Sequence, residues 1–153
     1  MAYTSLGIGV GVVANDIIAN NQNTFSPYDF AFWCVQHIST DNPYYTDAEI
    51  DNDNAQLISW ASARVGATGM PTDYVSIAKY CANYVIPISK ALVTRGTLLF
   101  SKIDTDGTFD IAITLGLNDA IVDTNGVHTI KKLNALDLQN WSYATKIPKL
   151  VYK

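Results

Sequence analysis

Apolar residues crowd most densely between Ser26 and Ile38, in the stretch SPYDFAFWCVQHI. Phe30, Cys34 and Ile38 recur at four-residue steps, while Ala31, Phe32, Trp33 and Val35 fill the flanks. A helix that is apolar nearly all round belongs in the interior. Ser26-Pro27 suits its start, because the serine can cap and proline tolerates the first turn. Asp29 lies where the helix dipole favours negative charge. The chain has no other stretch of this length that is so uniformly core-like.

Upstream, residues 4–20 read as a first helix with small residues at Gly7, Gly9 and Gly11. Their spacing is GxGxG without a preceding strand, which points to close packing rather than a phosphate loop. Downstream, residues 39–54 are polar and acidic and read as a surface loop. Ala55–Val65 then has Leu57, Ile58 and Ala61 on one face, the pattern of a helix. GATGMPTD breaks that pattern, and Thr72 or Asp73 caps a further helix that buries Tyr74, Ile77, Ala78 and Cys81.

After Pro87 the period changes. Residues 96–103, 109–116, 119–123 and 127–132 are short, β-prone and bounded by turn residues. Asp104-Thr105-Asp106-Gly107 and Thr124-Asn125-Gly126 read as hairpin turns, and a last strand is expected around Ile147–Tyr152. Helices first and an antiparallel sheet afterwards make an α+β domain. At 153 residues, one domain spanning 1–153 is the simplest division.

Composition narrows the partners. The chain is 48% hydrophobic and 16% charged, with a net charge of −4. It is globular, and its acidity argues against nucleic acid or an anionic membrane as partner. No run approaches the roughly 18 apolar residues that span a bilayer. The first residues lack the basic segment of a signal peptide, so a cytoplasmic origin is expected. Cys34 and Cys81 both sit in apolar-periodic contexts and read as buried thiols.

Two acidic groupings invite a metal reading. Asp104, Asp106 and Asp110 with Gly107 spell DxDGxxD, a spacing that can hold calcium through carboxylate oxygens and that equally serves a tight hairpin turn. Asp41, Asp47, Asp51 and Asp53 do not reproduce an EF-hand and read as a solvated loop. Tyr44 and Tyr45 in that loop are candidate partner contacts, since aromatics are favoured at interfaces. No cofactor is implied.

The order of elements, with particular strings in it, resembles the NlpC/P60 family of papain-like cysteine peptidases over roughly Thr4 to Tyr152. YDFAFWCVQHI resembles the helix-opening DCSGFVQ segment. PTDYVSIAKYCANYVIPI resembles the LPRTS-x-x-Q helix, VTRGTLLF the PGDLVFF strand, and FDIAITLGLNDAIVDT the HVGIYLG-x-x-x-IHA hairpin. The closing LNALDLQNWSYATKIPKLVY is similar to the family's tail. The stretch around 40–66 then looks like an inserted acidic loop and helix.

The resemblance implies a helix-terminal cysteine thiolate, a histidine from the start of a facing strand and a polar residue on the next strand, together cleaving cell-wall peptide. On this alignment Asp29 matches the family's Asp. Phe30 stands at the cysteine, Ala31 and Phe32 at the following Ser and Gly, Asp110 at the histidine, Asp123 at or beside the third residue, and Thr97 at the Asp of PGD. A carboxylate at Asp110 would raise a thiol's pKa rather than lower it. The implied protein is a pseudoenzyme: a structural or interaction protein, by analogy a phage tail or baseplate component of the virion, assembled in the host cytoplasm with other tail proteins. A module that binds wall peptide or glycan is the second reading, with peptidoglycan as its partner. The third is an atypical peptidoglycan hydrolase that uses Cys34, one turn beyond Phe30, with His37 or His128 as base.

Overall fold

The computed structural model describes residues 23–38, 53–124 and 127–153. Helix α1 covers Pro27–Ile38, α2 Asn54–Arg64, α3 Tyr74–Tyr80 and α4 Ile88–Leu92. The strands are β1 Val85–Ile86, β2 Arg95–Ser101, β3 Ile111–Gly116, β4 Asp119–Thr124, β5 Val127–Lys132 and β6 Trp141–Thr145. They form one antiparallel sheet in the order β1-β6-β2-β3-β4-β5.

Period-two side chains give the sheet two buried faces. Leu98, Phe100, Ile111, Ile113 and Ile121 point to the side covered by α1, α2 and α3. Leu99, Ala112, Ala120 and Ala144 point to the other side, where Ala91 and Leu92 of α4 cover them. The large residues face the thick helical layer. The alanines face the short helix, which can therefore lie close.

Helix α1 starts as the sequence predicts. Ser26 Oγ accepts from the Asp29 N–H at 3.1 Å, and Phe30, Ala31, Trp33 and Cys34 are buried. Its first turn rests on β2 at Gly96, whose φ is +89°. A Cβ there would collide with the Pro27 carbonyl oxygen, so the close approach requires glycine. The chain's end closes the same corner: the Val151 N–H donates to the Phe25 carbonyl at 2.8 Å. The Tyr152 hydroxyl donates to the Gly96 carbonyl at 2.6 Å and accepts from the Ile147 N–H at 2.9 Å.

Helix α2, the helical part of the stretch around 40–66, lies at the centre of the molecule. Asn54, Ala55, Leu57, Ile58, Ala61 and Ser62 are buried, and α2 packs between α1 and β3. Asp53 caps it, accepting from the Gln56 N–H at 2.8 Å. Asp73, one of the two predicted caps, starts α3 by accepting from the Ser76 N–H at 2.9 Å.

The last strand also differs. Strand β6 is Trp141–Thr145, paired with β1 and β2, and residues 147–152 form no strand. The aliphatic residues that suggested one, Ile147 and Leu150, are instead buried in the helical-side core. No described helix is long and apolar enough to cross a membrane. The predicted helix over 4–20, the acidic loop with Tyr44 and Tyr45, and Asn125-Gly126 of the second hairpin turn lie outside the described residues.

Candidate functional site

The polar centre of the molecule lies where the N-terminus of α2 meets the start of β3. Asn54, the first residue of α2, has no solvent exposure. Its Nδ2 donates to the Ile111 carbonyl at 2.7 Å and to the Ile121 carbonyl at 3.2 Å. Carbonyls only accept, so the amide nitrogen must face them, and Oδ1 is left facing His128 Nδ1 at 2.8 Å. An amide oxygen only accepts as well. His128 therefore carries its proton on Nδ1, which donates to Asn54, and its Nε2 is a lone pair. That Nε2 is shielded from solvent and has no hydrogen-bond partner among the described residues.

Strand register places Asp123 opposite His128 on β5. Burial holds the His128 pKa below its ordinary value, against the pull of Asp123 and Asp53. Asp110 lies immediately before β3. Its N–H donates to Ser101 Oγ at 2.7 Å. Desolvation raises the Asp110 pKa, and the neighbouring carboxylates Asp123 and Asp104 raise it further. Tyr74 completes the group. Burial, then the charge of Asp53, push its hydroxyl up to about 12, with smaller contributions from Asp123 and Asp110; the Asn54 backbone N–H donates to its oxygen.

Asn54, Tyr74, Asp110, Asp123 and His128 thus form one cluster around the cap residue Asp53. It is rich in acceptors and holds no thiol. The phenol stays protonated at neutral pH, and the Asn54 side chain is committed to three partners inside the fold.

The other sequence candidates lie elsewhere. Phe30 is fully enclosed in the core and, having only an apolar ring, brings no polar atom to this cluster. Asp29–Phe32 lie in the opening turns of α1, while Asp53–Gln56 form the cap and first turn of α2. Cys34 is fully buried, and desolvation raises its pKa well above the thiol range; the charge felt there is that of Arg95, not of a histidine. That environment disfavours the thiolate a nucleophile needs. His37 lies against Trp60 with the rings tilted by 48° at a centroid distance of 5.3 Å, at the far end of α1. Cys81 is also free and buried, and burial pushes its thiol up to about 11. Thr97, aligned with the Asp of PGD, is buried with its hydroxyl 2.6 Å from that of Thr114.

Asp104 and Asp106 take part in the hairpin turn. Asp106 Oδ1 accepts from both the N–H and the hydroxyl of Thr108, at 3.1 and 2.7 Å. The Asp104 N–H donates to the Thr108 carbonyl at 2.8 Å. Among the described residues, no three His, Cys, Asp or Glu side chains are placed to hold a metal ion.

No protein-family model matches the sequence, and no curated protein sequence matches it. Solved structures do match the fold. The P60 domain of antigen MAP1204 from M. avium subspecies paratuberculosis superposes with a TM-score of 0.56 at 16% identity, over 82% of this chain and 98% of that one. The peptidoglycan hydrolase RipB from Mycobacterium tuberculosis superposes with a TM-score of 0.58 at 16% identity, over 95% of this chain and 76% of that one. The fold is NlpC/P60-like. In this chain the N-terminus of α2 meets the start of β3, and Asn54 is the residue it brings there.

Sequence reasoning missed Asn54 because a polar residue at a helix start ordinarily reads as part of a solvated cap. The available signal was Asp53-Asn54 directly before the Leu57, Ile58, Ala61 period and some twenty residues ahead of the Asp73 cap. His128 was visible only as a possible base for Cys34.

Proposed function

We propose that this chain is a non-catalytic interaction protein built on the NlpC/P60 fold. The observation that carries the reading is the chemistry at the junction of α2 and β3. The resemblance implies a thiol there, facing a histidine from the strand start. This chain has the Asn54 amide, whose nitrogen and oxygen are both consumed by Ile111, Ile121 and His128, and Asp110 at the strand start. An amide whose two N–H protons are both bonded is neither an acid nor a nucleophile for a peptide bond, and the two buried thiols have pKa values raised rather than lowered.

For the setting, a low charge content and a wall-peptidase scaffold fit a subunit of a phage tail or baseplate particle, in contact with other structural proteins of that assembly. That step is an analogy of fold and composition.

The test is muropeptide release from purified peptidoglycan, comparing the protein with its Cys34→Ala variant. Neither should release product. Release that disappears in the variant overturns the reading and makes Cys34 a nucleophile. Release that persists in the variant overturns it too, and moves attention to the cluster around His128. Co-purification of tail or baseplate subunits with the tagged protein tests the setting separately.

A further inference from the structure

Strand β5, Val127–Lys132, is the last strand of the sheet among the described residues, with β4 on its inner side. The opposite edge, β1, is only two residues long. The β2–β3, β2–β6 and β3–β4 pairings each contain a shift of register, but β4 and β5 pair over six consecutive positions without one. Strand β5 therefore lacks the shortness, the bulge and the proline that blunt an edge. Its lysines do not guard it either. Lys131 Nζ lies 2.9 Å from Asp137 Oδ1 and Lys132 Nζ 3.1 Å from Asp119 Oδ1, so each is held by an aspartate of its own chain. The helices pack mainly on β2 and β3, inside this margin.

The ladder fixes which backbone groups face outward. The Leu133 N–H donates to the Asn118 carbonyl at 2.8 Å, one step beyond the Asp119–Lys132 rung of the same register. Antiparallel bonds alternate, so Lys131, Thr129 and Val127 bond inward to β4. His128, Ile130 and Lys132 turn their N–H and C=O groups away from it. The side chains of these three residues share the helical face with Asp123, Ile121 and Asp119, their partners on β4. Ile130 is 47% exposed beside the wholly buried Ile121.

We propose that β5 pairs antiparallel with β5 of a second copy of this chain, about a two-fold axis between the two Ile130 residues. Self-complementarity selects this occupant. With Ile130 opposite its own copy, His128 falls opposite Lys132, and every outward N–H and C=O of the strand meets its complement. An axis at Thr129 would instead carry Lys132 past the start of the second strand. On the helical face Ile121, Ile130 and their copies line up as one apolar row. Lys132, held by Asp119, meets a neutral imidazole that shares a rung with Asp123. Lys131 falls opposite Thr129, so no lysine faces a lysine. The pairing goes beyond the non-catalytic reading and does not depend on it, so muropeptide release would leave it standing.

The experiment is sedimentation equilibrium of the intact protein from about 5 μM to about 1 mM, with amide exchange at both ends of that range. The average mass should rise from 16.7 kDa towards twice that value. Exchange at His128, Ile130 and Lys132 should slow at least about tenfold in the concentrated sample, while Thr129 and Lys131, bonded to β4, stay slow throughout. Ile130→Pro removes an outward N–H without touching the β4 ladder and should abolish the dimer. Ile130→Lys sets like charges across the axis and should weaken it at least about tenfold. Circular dichroism checks both folds. Val85→Ser, at the opposite edge, should leave the dimer unchanged. A protein that stays monomeric at about 1 mM, a dimer that survives Ile130→Lys or is lost in Val85→Ser, or outward amides already slow in the dilute monomer would each overturn the proposal.

Discussion

Helices α1 and α2 lie side by side, and each opens near an aspartate followed by a short apolar run. They do different work. Helix α1 buries Phe30, Ala31, Trp33 and Cys34 and contributes bulk to the core. Helix α2 is less apolar, with a polar face of Gln56 and Arg64, yet it places a fully buried Asn54 against two strands and a histidine. The contrast teaches that chemical interest follows a buried polar group with several partners, not the density of apolar residues. A side chain such as Phe30 is held by non-directional burial, which many apolar residues could supply. Asn54 is held by three directional bonds that few other side chains could make at once.

The comparison can be broken from either side. Phe30→Ala should have the largest effect, about 3–5 kcal/mol of stability by urea denaturation, because it empties a core position beneath β2. A loss under 1 kcal/mol would mean that α1 is not the packing element described. Asn54→Ala should cost somewhat less, about 2–4 kcal/mol, since it leaves the Ile111 and Ile121 carbonyls and His128 Nδ1 without their partner. It should also release the His128 tautomer, a change that nitrogen chemical shifts of the imidazole report directly. Unchanged shifts would refute the assignment of the proton to Nδ1.

Much of the fold was legible before the structure, and the reason is periodicity. Leu57, Ile58 and Ala61, the Asp73 cap, and the strand pair joined through Asp104–Gly107 are local signals that tertiary packing did not override. The failures are places where meaning depends on distant neighbours. Asn54 acquires its role from Ile111, Ile121 and His128, far along the chain. Residues 147–152 alternate like a strand, but the sheet position beside β2 is taken by Trp141–Thr145. The apolar density around Phe30 marks burial and says nothing about which helix end meets the sheet.

Smaller effects sharpen the same contrast. Native Cys34 should resist iodoacetamide over hours and react promptly in denaturant, because burial raises its pKa. Ready native labelling would place it in the cleft after all. The pH dependence should come from the α2 side. The folded-state pKa of His128 lies below its ordinary 6.5, so its contribution to stability is complete above about pH 6.5 and declines as pH falls through the folded value. Asp110 has the opposite sign: its raised pKa favours the fold below its ordinary value of 3.8, and that contribution fades as pH rises through the folded value. His128→Gln should therefore flatten the fall in stability below about pH 6.5, read as melting temperature against pH.

The clasp at this corner bears on where the fold first opens. Val151 bonds Phe25, Tyr152 bonds Gly96, and Gly96 seats the first turn of α1. Segments more than fifty residues apart in sequence thus share one small patch, so they should come loose together rather than one by one. Amide exchange should find the Val151 and Ile147 N–H groups opening in step. Tyr152→Phe removes the oxygen that accepts from Ile147, and should speed exchange at Ile147 while leaving the bonds of Asn54 as they are.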